Sequence, residues 1–348
     1  RYLVDLHRLR HNPYNGLYIF ACGLAEHLLN LRLQDEELCY YLPREKFGFF
    51  GNKPRYIPHK RWHKFFQPRT GRFDVWHLTT GISQYRPFNQ KTKVVYTIHD
   101  VNFLVEEPDN RRRNERTLKL MQHNVNRADH IVGISRYALN FASQHLDFGK
   151  TPTSVIYNGY SVTEFPGFDE PAYRPARPFL FSISLVQPRK NFHVLPALLV
   201  NNDYELVIAG LNHFDYANKV REEAKRWNVE DRVKLIGPVD EKNKYWYYLH
   251  CAAFMFPSLA EGFGIPPLEA MHFGKAVFLS DRMSLPEIGG KAAYYFTDFE
   301  PGSMRSVFEK GMNDFTTHDR GAATRQQASL FDWNKCAQEY LGIYRQLS

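Results

Sequence analysis

The residues whose types and spacing point to chemistry lie in Pro257-Ser-Leu-Ala-Glu261-Gly-Phe-Gly-Ile-Pro-Pro-Leu-Glu269-Ala-Met-His-Phe-Gly-Lys275. Glu261 precedes the loop Gly262-Phe263-Gly264, and Pro266-Pro267 open the segment that carries Glu269. Proline is tolerated at the first helical position, so the pattern predicts a helix from near Pro267 to near Gly274, with Glu269 in its first turn. Glycines let backbone N–H groups come close to a ligand, and a helix N-terminus favours an anion. Two carboxylates cannot hold a phosphate, but they accept hydrogen bonds from sugar hydroxyls beside one. The local chemistry is that of a phosphorylated-sugar site. The plainer alternative is a helix-capping Glu269 in a proline-rich turn, with Glu261 solvated.

Two other places share this chemistry. Arg189 and Lys190, in Leu185-Val-Gln-Pro-Arg189-Lys190-Asn191, fall at a strand-to-helix junction. Cations there neutralise a diphosphate and stabilise it as it departs. Taken alone such a pair is a surface feature; beside the Gly-Phe-Gly loop it is a candidate leaving-group clamp. His99 closes a strand in Thr97-Ile-His-Asp100. A histidine so placed is either a structural hydrogen-bonder or a ligand contact, and the residues leave both open.

These positions require strands that end at them. Ala252–Phe256 reads as a short buried strand delivering the Glu261 loop, and Phe179–Ser184 as one delivering Arg189 and Lys190. Tyr204–Ala209 ends at Gly210, Val233–Ile236 ends at Gly237-Pro238, and Ala276–Leu279 and Tyr294–Phe296 complete the set. Helices are expected from about Phe192, over Asp215–Trp227 and over Lys242–His250. The first half has the same grammar. Strand Tyr2–Leu6 is followed by the turn Asn12-Pro-Tyr-Asn-Gly16 and the helix Leu17–Leu33, then strands Asp74–Leu78 and Val94–Ile98. A charged helix covers Arg111–Arg127, strand His130–Ile134 leads to Ser135 as cap of helix Arg136–His145, and strand Ser154–Tyr157 is closed by Asn158-Gly159. Strands alternating with helices imply a doubly wound parallel sheet in each half. The four prolines between Tyr160 and Pro178 mark a linker. Two such domains leave a cleft into which both sets of strand ends point.

Composition narrows the class further. At 348 residues the chain fits two domains better than one. No apolar run approaches the roughly 20 residues that span a bilayer, and Arg1-Tyr-Leu-Val-Asp-Leu reads as a first strand rather than a signal peptide. Cys22, Cys39, Cys251 and Cys336 lack metal-ligand spacing, so no metal is expected and a reducing cytoplasm fits best. A dinucleotide site of the dehydrogenase type is unsupported, because no G-x-G-x-x-G follows the first strand. The net charge of +8 is uneven: 53–72 holds seven Lys/Arg and no acid, interleaved with Tyr56, Trp62, Phe65 and Phe66. Lys60, Arg61, Trp62 and Lys64 are the candidates there for an acceptor or membrane face. Arg111, Arg112, Arg113, Arg116 and Lys119 form a second cluster. Charge alone also suggests nucleic acid, a reading nothing else in the chain supports.

Together these residues resemble glycosyltransferase family 4, also called the group 1 family, of GT-B fold. The resemblance covers essentially the whole chain. Its most specific part is Glu261-Gly-Phe-Gly-Ile-Pro-Pro-Leu-Glu269-Ala-Met, similar to the family's Glu-x7-Glu signature. Gln187-Pro-Arg-Lys-Asn191 resembles its basic loop and Ser284-Leu-Pro-Glu-Ile-Gly-Gly-Lys-Ala-Ala293 its following segment. Asn15-Gly16, Thr97–Asp100, Ile134-Ser-Arg136 and Tyr157-Asn-Gly159 come in the family's order, and Phe331-Asp-Trp-Asn334 through Arg345 looks like its terminal crossover helix.

The resemblance implies two Rossmann-like domains: 1–165 for the acceptor, with a crossover helix at about 333–348, then a linker at 166–178, then 179–332 for the nucleotide sugar. It implies a retaining, metal-independent transferase without a cofactor, the nucleotide diphosphate sugar being a substrate. Glu269 would bind ribose hydroxyls, Glu261 the donor sugar, and the Gly262, Phe263 and Gly264 amides the phosphates or sugar. Lys190, with Arg189, would hold the diphosphate. Gly237, Pro238 and Val239 would line the base, and Gly210 and Ile265 complete the expected donor set. His99 would face the sugar, and Gly16 would let the first loop approach the phosphate. The loop Pro188–Asn191 and the Leu285–Ile288 segment are similar to mannosyltransferases of bacterial surface-polysaccharide assembly, which favours GDP-mannose over a UDP-sugar. The acceptor is expected to be a saccharide or a lipid-linked one, the location cytoplasmic or peripheral on an anionic membrane. One departure stands out: many members carry Gly-Arg where this chain has Ile183-Ser184. That leaves a non-catalytic sugar-nucleotide binder as the alternative.

Overall fold

A computed structural model describes residues 1–10, 16–66, 72–212 and 214–348. The turn expected at Asn12–Asn15 and residues 67–71 of the basic segment lie outside them. The chain divides into two compact units, 1–160 with 331–348, and 161–330.

The first unit is built on β1 (Tyr2–Asp5), β2 (Leu38–Leu42), β3 (Arg55–Pro58), β4 (Val75–Leu78), β5 (Lys93–Ile98), β6 (His130–Gly133) and β7 (Thr153–Val155), in the order β3-β2-β1-β4-β5-β6-β7. Every pairing is parallel. A parallel strand needs helices on both faces, which explains why β1, β2 and β4 are buried along their whole length. The predicted Arg111–Arg127 helix has those bounds. Ser135 caps the next helix as expected, its Oγ accepting from Ala138 N at 3.0 Å.

Two strands of this sheet escape the sequence patterning. Leu38–Leu42 is a five-residue apolar run without the alternation that marks a half-buried strand. Arg55–Pro58 lies inside the basic segment and pairs with β2 in the register Tyr40↔Tyr56. Its one cation, Arg55, is exposed while Ile57 is buried, so what reads as one charged surface stretch is partly an edge strand.

The terminal helix Trp333–Leu347 belongs to this unit. Trp333 packs so closely on Gly23 and Gly159 that a Cβ at either would fall 2.3–2.4 Å from its atoms. Tyr344 and Tyr340 reach the sheet through His77 Nδ1 (2.5 Å) and Thr97 Oγ1 (2.8 Å), and Arg345 grips Glu36 with Nε and Nη2 at 2.6 and 3.0 Å.

The second unit repeats the construction with β8 (Phe179–Ile183), β9 (Glu205–Ala209), β10 (Val233–Gly237), β11 (Ala253–Phe256), β12 (Ala276–Ser280) and β13 (Tyr294–Phe296). Their order is β10-β9-β8-β11-β12-β13, again all parallel. Chain direction along the sheet reverses between β8 and β11, so the loops leaving these two strands diverge and open a crevice at their carboxyl ends. The stretch expected as a linker is tied to this unit: Tyr173 N donates to Tyr247 OH at 2.9 Å and Trp246 Nε1 to Asp169 at 2.9 Å. Phe192–Leu199 is 3₁₀ rather than α, since Pro196 sits inside it.

Candidate active site

The carboxyl edge of the second sheet gathers the residues with donor chemistry. The loop after β8 holds Arg189 and Lys190 in a 3₁₀ turn, Pro188–Lys190, ended by Asn191 with φ 59°. The loop after β11 holds Glu261, and backbone bonds join the two: Leu259 N donates to Arg189 O at 2.8 Å and Arg189 Nη1 to Ala260 O at 2.9 Å. Ser284, after β12, donates to Glu261 O (2.9 Å) and Phe263 O (2.7 Å) and so pins the glycine loop. Three loops from neighbouring strands thus form one rigid edge.

Glu261 is not solvated. It is buried against the Nζ of Lys190, itself 5% exposed, with Arg189 Nη1 at 3.7 Å from its other oxygen. Burial alone would raise this carboxyl, but Lys190 and Arg189 more than offset it and hold it below the usual carboxylate range. Lys190 Nζ also stands 5.1 Å from the centre of the Phe256 ring. The cations expected to hold a diphosphate and the carboxylate expected to touch the sugar are therefore paired with each other.

Glu269 departs from expectation in position and in partners. The helix starts two residues early, at Ile265, because the missing N–H groups of Pro266 and Pro267 cost nothing within a first turn. Glu269 consequently lies beyond the first turn and caps nothing. Its carboxylate is 7% exposed and accepts from Lys244 Nζ at 3.0 Å and Tyr248 OH at 2.8 Å. Burial would lower the Lys244 ammonium, but Glu269 and Glu241 raise it. Lys244 and Tyr248 escaped the sequence analysis. Both stand on the Glu241–His250 helix, and only the Glu241–Lys244 spacing of three marked one of them.

The glycines divide by cause. Gly264 adopts φ 120° immediately before the helix, a conformation a side chain would strain, so the amides of Gly262–Gly264 turn sharply at its N-terminus. Gly210 has φ 134° and a Cβ there would lie 1.8 Å from Ser184 O, so packing alone demands the glycine. Gly237 ends β10 in open space, beside Pro238 and Val239. Ser184 donates its N–H to Ala209 O at 3.1 Å.

On the first unit, His99 leaves β5 with Nε2 2.8 Å from Thr79 O and its ring edge-on to Phe20 at 4.7 Å. A carbonyl only accepts, so Nε2 carries the hydrogen and Nδ1 is the lone-pair nitrogen. Burial drives the imidazolium down to about 4; the Thr79 bond opposes this and Arg8 adds to it. His99 is thus neutral at pH 7. Gly16 opens the Gly16–Leu31 helix with open space where a Cβ would sit. Lys60, Arg61, Trp62 and Lys64 are all exposed on and beside the 3₁₀ turn Arg61–Lys64, and His63 is buried behind them against Tyr41 OH at 3.0 Å. Among the described residues no group of three or more His, Cys, Asp or Glu side chains is placed to hold a metal ion.

Comparison with known proteins agrees with the fold just described. The glycosyl transferases group 1 model matches residues 168–301 and the Glycosyltransferase Family 4 model residues 18–164. One match falls on each half, and together they take in most of the chain. The chain belongs to this glycosyltransferase family. Among its relatives is the serotype-specific mannosyltransferase WbdA of Escherichia coli, 30% identical over 61% of this chain but only 28% of that protein's length. Another is the GDP-mannose:cellobiosyl-diphosphopolyprenol alpha-mannosyltransferase of Komagataeibacter xylinus, 26% identical over 59% of this chain and 53% of its own. Among solved structures, sucrose-phosphate synthase of Thermosynechococcus elongatus superposes with a TM-score of 0.75 at 18% identity, covering 99% of this chain and 98% of that one. HepE of Anabaena, solved with UDP and glucose, gives 0.71 at 16% over 99% of both chains. The fold is GT-B.

Proposed function

We propose that this chain transfers a hexose from a nucleotide diphosphate sugar to a saccharide or lipid-linked acceptor, with mannose from GDP-mannose the preferred donor. The observation that carries this reading is the convergence of Lys190, Arg189 and Glu261 at the sheet position where α/β folds bind ligands, beside a glycine loop and a helix N-terminus. The names of the mannosyltransferase relatives support the sugar, and that of the Komagataeibacter enzyme supports the nucleotide and the diphosphopolyprenol class of acceptor.

In this reading the donor diphosphate takes the place the Glu261 carboxylate now holds against Lys190 and Arg189. Glu261 turns to the hydroxyls of the departing sugar, and Glu269 exchanges part of its bonding with Lys244 and Tyr248 for ribose hydroxyls. Transfer breaks the bond between the sugar's anomeric carbon and the phosphate oxygen and forms one to the acceptor oxygen on the same face. The acceptor's proton passes to the leaving phosphate, whose charge Lys190 and Arg189 stabilise as it develops. His99, on the first unit, offers a neutral Nδ1 as a hydrogen-bond acceptor. A nucleotide-sugar donor and a lipid-linked acceptor support a location in the cytoplasm or at the inner membrane face.

HepE, solved with a uridine nucleotide, supports a UDP-sugar as the second reading. A thermal-shift screen against GDP, UDP, ADP and their sugars separates them: a ligand at 100 times its Kd stabilises by about 2.7 kcal/mol. Anomeric-proton NMR of the product then reads retention. Tight nucleotide binding with neither transfer nor donor hydrolysis would replace the enzyme reading by a sugar-nucleotide binder.

A further inference from the structure

The first unit carries a cavity that the donor chemistry does not use. It encloses about 570 Å³ at the carboxyl ends of β1, β2 and β3, and Arg10, Arg44, Lys46, Arg61 and His59 line it, with Glu45 the sole carboxylate among the described residues of its lining. The cations come from three separate chain segments, so the fold itself brings like charges together. Arg44, Lys46 and Arg61 form no ion pair among the described residues. His59 is set in place from behind: its ring stacks on His7 at 5.4 Å, and Asp5, fully buried, accepts from His7 Nδ1 at 2.7 Å and from Ser83 Oγ at 2.7 Å. Among the described residues His59 Nε2 has no hydrogen-bond partner. Such a lining fits a multiply charged phosphate better than a neutral sugar.

A second observation concerns what lies next to it. Phe47 and Phe49 follow Lys46, and Trp62, Phe65 and Phe66 follow Arg61; all five are exposed, Phe66 by 71%. Lys46 Nζ stands 5.2 Å from the Phe49 ring centre and Lys64 Nζ 4.9 Å from that of Phe65. A small soluble phosphate makes no use of such a rim. A phosphate ester carried on an apolar chain uses both halves, the head in the cationic cavity and the chain over the aromatics.

We propose that this cavity seats the phosphate or diphosphate head of an amphiphile, with its apolar chain over Phe47, Phe49, Trp62 and Phe65. The proposal rests on the acceptor reading above, which it narrows to a phosphate-linked lipid.

Calorimetric titration of the full chain tests it with inorganic pyrophosphate, farnesyl diphosphate, and phosphatidylcholine vesicles containing phosphatidylglycerol. Three variants are compared: Arg44→Ser with Lys46→Ser, Trp62→Ser with Phe65→Ser, and, away from the cavity, Arg111→Ser with Arg112→Ser. Lys46 is half-buried and the other five positions are exposed, and the urea midpoint of each variant checks that it folds. Pyrophosphate affinity is expected to fall at least tenfold in the first variant and to stay unchanged in the third. Farnesyl diphosphate should bind at least tenfold tighter than pyrophosphate, an advantage lost in the second variant. Equal pyrophosphate affinity in wild type and the Arg44/Lys46 variant overturns the seat. Equal affinity for the two diphosphates overturns the apolar carrier. Vesicle binding that needs Arg44 and Lys46 but that pyrophosphate does not displace makes the face a general membrane contact instead, and also overturns the seat. Pyrophosphate binding that depends on Arg44 and Lys46, in a protein that binds no nucleotide sugar, supports the seat while removing the transferase reading.

Discussion

The two sheets share a strand order and differ in what their carboxyl edges carry. In the second unit the edge is charged and self-paired: Glu261 with Lys190 and Arg189, Glu269 with Lys244. In the first it is a set of histidines kept neutral by burial, His59 and His99 pushed down to about 4 and His77, deeper in, to about 3. Topology therefore places the loops and leaves the electrostatics to side chains. Charged groups survive burial only in pairs, so the charged edge stores binding sites that an incoming anion can take over. Histidine survives burial by giving up its proton, so His59, His77 and His99 offer hydrogen bonds without charge, beside the cations that line the cavity after β1, β2 and β3.

The sharpest way to break this comparison is Glu261→Ala. It leaves Lys190 buried without its carboxylate, and the expected loss is about 3–5 kcal/mol of stability, read from the urea midpoint. A loss below about 1 kcal/mol would show that the charged edge is not held by its pairs. Under the transferase reading, transfer is lost as well.

Acid should distinguish the edges next. The unfolded histidines bind protons near pH 6.5 while folded His59, His77 and His99 resist until about pH 4 or below. The unfolded state then holds more protons, so stability falls as pH drops from about 6.5 towards 4, by up to about 1.4 kcal/mol per pH unit for each histidine. Glu261 and Asp5, held low when folded, lose their contributions at lower pH still, with the same sign. Urea midpoints at pH 7, 6 and 5 measure the slope, and His77→Gln should flatten it. An unchanged slope would mean that His77 is not held neutral.

Within the charged edge, Gly210→Ala and Gly237→Ala form a controlled pair. The first drives a Cβ to within 1.8 Å of Ser184 O; the second meets nothing within 4 Å and bears only its φ of 76°. The expected costs are about 3 and about 1 kcal/mol by thermal unfolding. Equal costs would show that packing on Ser184 is not what selects Gly210. The smallest effect is expected from Lys244→Met, about 1 kcal/mol, because Tyr248 still satisfies one oxygen of Glu269. A loss as large as that of Glu261→Ala would make Lys244 as essential to its carboxylate as Lys190 is to Glu261.

Legibility followed the range of the interactions. The alternation of short apolar runs with helical segments marked eleven of the thirteen strands among the described residues, and the two missed, β2 and β3, fail for local reasons: one has no alternation and the other is disguised by its charge. The Ser135 cap and the bounds of Arg111–Arg127 were legible because capping and helical periodicity act within a few residues. Glu261, Glu269, Arg189 and Lys190 stood out as functional candidates, yet the pairing of Glu261 with the two cations did not, and neither did Lys244 and Tyr248 beside Glu269.

The sequence by itself determined the two α/β halves, the glycine loop before a proline-led helix, and which residue types stand at each strand end, since all of these act over one or two turns of chain. Only the tertiary structure decided that Lys190 meets Glu261 across 71 positions, that Glu269 leans on Lys244 and Tyr248, that Gly210 yields to Ser184, and that Arg10, Arg44, Lys46 and Arg61 share one cavity. Those pairings depend on which strands lie side by side. Strand adjacency is settled by burying whole faces of a sheet, which no local run of residues encodes.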